Sequence, residues 1–173
     1  MVTLTATRAG TTRPAAASGW AQDAKTAWGT IEVSANPAPA DIFQMVKLPK
    51  GAMIVGGRVL GDKLDSTGAG SACMTVNIGL TAAVVLPNGT TVTVASTSNA
   101  LGAAWAFGSD FSAVLGYKTD NGRNLPLGGL LLTDGPLLCT DECFATVVVI
   151  TSAGGITTGT LTMLVDYYMA QHI

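Results

Sequence analysis

Residues 41–65 read DIFQMVKLPKGAMIVGGRVLGDKLD, and the reading of this stretch decides the fold. Ile42–Leu48 and Ala52–Leu60 have strand composition, and Pro49-Lys50-Gly51 between them has turn composition. Proline pre-sets φ for a turn, and glycine supplies the positive φ that tight reversals often need. The predicted unit is a hairpin. Side chains alternate along a strand, so Met53, Val55 and Val59 share one face with Gly57. Ile54, Gly56, Arg58 and Leu60 take the other face. The Gly56-Gly57 pair marks a bulge or a close backbone approach in mid-strand.

Strand signals continue on both sides of this unit. Upstream, Trp28–Ser34 places Ile31 and Val33 opposite Thr30 and Glu32, and Ala35-Asn36-Pro37-Ala38-Pro39 reads as a loop. Downstream, Cys73–Leu80 alternates Met74, Val76, Ile78 and Leu80 against Cys73, Thr75, Asn77 and Gly79. Asn88-Gly89, between Val84-Val85 and Thr91–Val94, predicts a type I′ hairpin turn. Asn99–Gly129 is irregular, with Trp105, Phe107, Phe111 and Tyr117 read as a short helix or packed loop. Phe144–Thr151 is a continuous β-branched run, as expected of a strand covered on both faces. Thr160–Met169 puts Leu161, Met163, Val165, Tyr167 and Met169 on one face. Short strands punctuated by Gly, Pro and Asn predict an all-β sandwich or barrel.

At 173 residues the chain suits one folded domain, residues 28–173, preceded by an extended N-terminal arm, residues 1–27. A domain of that size buries roughly 70% of its unfolded surface. The arm is rich in Thr, Ala, Gly and Ser, a composition that cannot offset its own ordering entropy. Arg8, Arg13 and Lys25 outnumber Asp23 in it, and Trp20 with the adjoining Trp28 are its large anchors. Arg8, Arg13, Trp20, Lys25 and Trp28 are therefore the candidate partner-binding residues.

Charged residues make up only 12% of the chain against 48% hydrophobic, with a net charge of -2. That balance argues against nucleic acid, which needs a basic face. So sparse a charge predicts a surface covered by partners or neighbouring copies. No apolar run reaches the roughly 18 residues of a membrane span, and Pro126, Asp134 and Pro136 interrupt the longest candidate. The N-terminal sequence lacks the long apolar core of a secretory signal.

Catalytic constellations are not apparent. His172, the single histidine, sits beside the carboxyl terminus, where chains are usually mobile. Asp62/Asp65 and Asp141/Glu142 lie in polar turns. Cys73, Cys139 and Cys143 with one terminal histidine do not make a zinc set. A Cys139–Cys143 disulfide has workable spacing but would leave an odd cysteine, so three reduced thiols are expected. No phosphate-loop or dinucleotide motif is present. The reading is a non-enzyme with no cofactor and no metal.

The run ADIFQMVKLPKGAMIVGGRVLGDKLD, followed after a short loop by MTVNIGL, resembles phage head decoration, or cement, proteins. In these small structural proteins a strand, an LPKGA turn, a second strand, an LD and a strand ending in V-x-I/V-G recur. The similarity covers Ile31 to Leu80 and more loosely the closing LTMLVDYYM, while Asn99–Gly129 departs from it. The resemblance implies a jelly-roll sandwich on the outer surface of the virion. There it would bind the major capsid protein, often as a homotrimer, and tie neighbouring capsid subunits together. Other readings are a head-fibre or tail component and a carbohydrate-binding jelly roll, which clustered exposed aromatics near Trp105 and Tyr117 would favour. A hydrolase would require carboxylates converging in a cleft.

Overall fold

Pro49, Lys50 and Gly51 do form a turn, closed by the Ala52 N–H donating to the Pro49 carbonyl at 3.1 Å, with Gly51 at φ 80°. The computed structural model describes residues 3–5, 24–34, 36–61, 74–93, 99–107, 123–152 and 158–169. In it, strand β3 (Ile42–Leu48) enters this turn and β4 (Ala52–Gly61) leaves it, but the two do not pair. The predicted hairpin is instead a crossover between two sheets. The reason is that each strand has both edges occupied by others. β3 lies between β1 (Thr3–Thr5) and β11 (Cys143–Ser152). β4 is flanked by β12 (Gly159–Met169) on one edge and β10 (Leu137–Cys139) on the other.

The remaining strands are β2 (Lys25–Val33), β5 (Met74–Leu80), β6 (Val84–Val85), β7 (Thr91–Val92), β8 (Gly102–Phe107) and β9 (Arg123–Pro126). One sheet runs β1-β3-β11-β5-β8 and the other β2-β12-β4-β10-β6-β7, with β9 paired to the far half of β4. Within them β3-β11-β5-β8 matches β4-β10-β6-β7 position for position: β3 with β4, β11 with β10, β5 with β6, β8 with β7. A chain laid down as paired strands rolled over two layers is a jelly roll. The expected fold class, a jelly-roll-like antiparallel β-sandwich, is what the chain forms. β2 and β12, near the two ends of the chain, widen the second sheet beyond that core.

Three crossovers stack at one end of the sandwich. Residues 49–51, 140–142 and 81–83 each carry the chain from one sheet to the other. The Gly51 N–H donates to the Cys139 carbonyl at 3.0 Å, and the Thr140 hydroxyl to the Ala83 carbonyl at 2.9 Å. The Phe144 N–H donates to the Thr81 hydroxyl at 2.8 Å. Lys47 and Glu142 form an ion pair at 2.7 Å and Lys50 and Asp141 a looser one at 3.8 Å. The turn carboxylates Asp141 and Glu142 are thus bound to the neighbouring arch.

Inside, Phe43, Met45, Leu48, Ile54, Ile78, Leu137, Leu161, Met163 and Tyr167 are fully buried between the sheets. The alternation expected for β5 and β12 holds: Val76, Ile78 and Leu80 are inside, as are Leu161, Met163, Val165 and Tyr167. In β2, Ala27, Ile31 and Val33 are inside, and the strand begins at Lys25, within the segment read as arm.

Four expectations change. The faces of β4 do not run straight through: Ile54 and Val59 are both buried while Val55 is exposed. A bulge opposite Asp166–Tyr167 skips Val55 and flips the parity, in keeping with the glycine pair that follows it. The Asn88-Gly89 turn is not type I′. The Gly89 N–H donates to the Leu86 carbonyl at 2.9 Å, and Gly89 at φ 83° has positive φ but Asn88 does not. Pro87, in the second position, selects a type I turn followed by a left-handed glycine. Trp105 and Phe107 lie on strand β8 rather than on a helix, while Phe111 and Tyr117 fall outside the described residues. β11 is paired along both edges but covered on one face only, since a two-layer sandwich buries one face of each sheet. Its outward Ile150 is 42% exposed.

Candidate functional site

The outer face of β2, β12 and β4 carries a large exposed aromatic, Trp28, at 44%. Strand parity puts it there. Ala27, Gly29, Ile31 and Val33 point inward, so Thr26, Trp28, Thr30 and Glu32 point out. The register sets Trp28 opposite Leu164, which in turn faces Arg58 on β4. On either side the strands are tied by side-chain hydrogen bonds. Thr26 donates to the Asp166 carboxylate, Thr160 donates to Glu32 at 3.0 Å, and the Thr30 and Thr162 hydroxyls share a bond at 2.9 Å.

These contacts hold both carboxylates on neighbouring hydroxyls. A central aromatic is a favoured anchor of interfaces. Sequence reasoning does not single out the hydroxyl–carboxylate pairs. Only a known register brings Thr160 onto Glu32 and Thr26 onto Asp166.

The other candidate residues are distributed differently. Lys25 begins β2 on the inward parity of Ala27, and its ammonium is shielded from solvent without a hydrogen-bond partner. Arg8, Arg13 and Trp20 lie outside the described residues, as do Asp62, Asp65, Cys73 and His172. Among the described residues no three His, Cys, Asp or Glu side chains gather closely enough to hold a metal ion. No helix of the described residues is long and apolar enough to cross a membrane.

A second partly open apolar surface lies on the outer face of the other sheet, where Ile42 pairs with Val148 beside Phe144 and Ile150. Its charged member, Lys47, is occupied by Glu142 and leans 6.0 Å from the Phe144 ring centre.

No family model matches the chain, and no curated protein matches it in sequence. Solved structures do. A chain of the cyanophage Pam1 capsid asymmetric unit superposes with a TM-score of 0.58 at 18% identity, covering 94% of this chain and 96% of that one. A chain of the capsid of Ralstonia phage GP4 gives 0.61 at 17% identity, covering 99% and 100%. What is shared is the fold. The correspondence runs nearly end to end in both chains, so it includes the terminal strands that widen the second sheet.

Proposed function

We propose that this chain is a non-enzymatic structural protein of a phage virion, bound to the outer capsid surface, where it bridges major capsid subunits and stabilises the shell. The observation that carries this reading is the end-to-end fold correspondence with chains of two phage capsids. The sparse charge of the sequence supports it, because a surface covered by partners needs few charges for solubility. Self-association, with three copies as the favoured number, would place several such faces on one shell and multiply modest affinities by avidity. Residues up to 23 serve in this reading as a tether whose Arg8, Arg13 and Trp20 engage the shell.

The test is retention on capsids assembled without the protein. The intact chain is expected to bind them and raise their resistance to heat, and to scatter light as an oligomer rather than at the 17.5 kDa of one chain. Deleting residues 1–23 is expected to preserve the β-type circular dichroism and to cut retention sharply. It also removes β1 from the edge of β3, so a small fall in melting temperature is expected. Absence of binding by the intact chain overturns the proposal. Trp28 over a hydroxyl-bearing sheet also suits a sugar ring, and specific glycan binding without capsid binding would favour the carbohydrate-binding reading.

A further inference from the structure

Cys139 ends β10 in one sheet and Cys143 begins β11 in the other, with only the crossover 140–142 between them. Both side chains are 1% exposed and meet inside the sandwich, the Cys143 thiol donating to the Cys139 sulfur at 3.6 Å. The crossover is anchored from both sides, through Thr140 to Ala83 and through Asp141 and Glu142 to Lys50 and Lys47. A disulfide needs its sulfurs about 2.05 Å apart. The remaining gap of roughly 1.5 Å is of the size that side-chain torsions cover.

We propose that Cys139 and Cys143 are a reversible oxidation site, forming an intrachain disulfide that staples the two sheets at their crossover end. The oxidant is a small soluble disulfide. One protein thiol loses its proton, and its thiolate attacks an oxidant sulfur, forming a mixed disulfide and releasing one small thiolate. The second protein thiolate attacks the protein sulfur of that mixed disulfide and releases the other. In sum, two S–H bonds break and one protein S–S bond forms. Two electrons reduce the oxidant bond to two thiols, which take up the two protons. The hydrogen bond with Cys139 and burial keep the Cys143 thiol protonated well above its usual range, so the reaction waits on opening of the arch and is slow in both directions. The site does not depend on capsid binding.

The experiment equilibrates the full chain with 2-hydroxyethyl disulfide, denatures it in acid, and counts free thiols by alkylation and intact mass. Of the three cysteines, one is expected to label after oxidation and all three after reduction. Cleavage after Asp141 or Glu142 should leave two fragments that separate only on reduction. Cys73→Ala should oxidise as the parent does, and Cys139→Ala should not form the link. The oxidised parent should melt several degrees higher than the reduced form. Three labelled cysteines at equilibrium, a link through Cys73, or oxidation without a rise in melting temperature each overturn the staple. The Cys73→Ala mapping decides the matter even if Cys139→Ala fails to fold.

Discussion

Gly57 lies so close to Leu164 that a Cβ on it would stand 2.3 Å from the Leu164 carbonyl oxygen and 2.8 Å from Leu127 Cδ1. Its φ of 144° is also one that side chains rarely adopt. This contact is where β4, having bulged at Val55, settles against β12 in its new parity. Gly57→Ala combines overpacking with backbone strain and should cost about 3 kcal/mol, read as a fall in denaturant midpoint. Gly89→Ala, at φ 83° with nothing within 4 Å, should cost only about 1 kcal/mol. Equal losses would mean that the close approach is not there.

Ile78 and Thr75 share β5 but not a face. Ile78 is fully buried and Thr75 partly exposed. Ile78→Ala should cost roughly 2–5 kcal/mol as a core truncation. Thr75→Ala should stay within about 1 kcal/mol. Comparable losses would show the strand inverted.

Alkaline pH should weaken the fold in two steps. Contact with Cys139 and burial raise the Cys143 thiol, and burial raises the Tyr167 hydroxyl. Unfolded cysteine and tyrosine ionise near about 8.5 and 10. Above each value the unfolded chain gives up a proton that the folded chain keeps, so stability is full below it and falls as pH rises. The slope approaches about 1.4 kcal/mol per pH unit for each group. Under reducing conditions, urea melts should be flat from about pH 7 to 8 and decline from about 8.5. Cys143→Ala should remove the first part of the decline. An unchanged profile in that variant would place the titration elsewhere.

Elements with a strict two-residue period are legible in the sequence alone. β5 and β12 have apolar residues at every second position, and burial follows them at Val76, Ile78 and Leu80 and from Leu161 to Tyr167. The turns at Gly51 and Gly89 are legible for a similar local reason, because positive φ leaves its mark in the residue type. What the sequence conceals is non-local. Whether β3 and β4 pair or part depends on which strands claim their edges, and those claimants, β11 and β12, lie about a hundred residues further along the chain. β8 begins Gly-Ala-Ala, a weak strand composition that forms a strand because β5 offers an edge. The candidate face is half visible: Trp28 as an anchor is plain, but Thr26, Asp166 and Arg58 join it only through the register.

The last prediction concerns that face. Trp28 projects outward from a strand whose inward neighbours secure the core, and at 44% exposure a large part of its ring is open to a partner. If the outer face of β2 and β12 is the surface laid against a capsid, Trp28 is its natural anchor. Truncating such an anchor typically costs about 2 kcal/mol or more of binding, roughly a thirtyfold loss. Trp28→Ala should therefore fall away from capsids assembled without this chain at concentrations where the parent remains bound. Its circular dichroism should be unchanged and its melting temperature should shift by only a few degrees. Trp28→Phe should recover part of the retention, because a smaller ring still fills an apolar socket. Leu132→Ala provides the control, since that side chain is 82% exposed on the single-turn helix α1 (Leu130–Thr133), outside this face. Parent-like retention by Trp28→Ala, with Leu132→Ala also unaffected, would remove this face from the contact. The outer face around Ile42, Val148 and Ile150 would then be the surface to test.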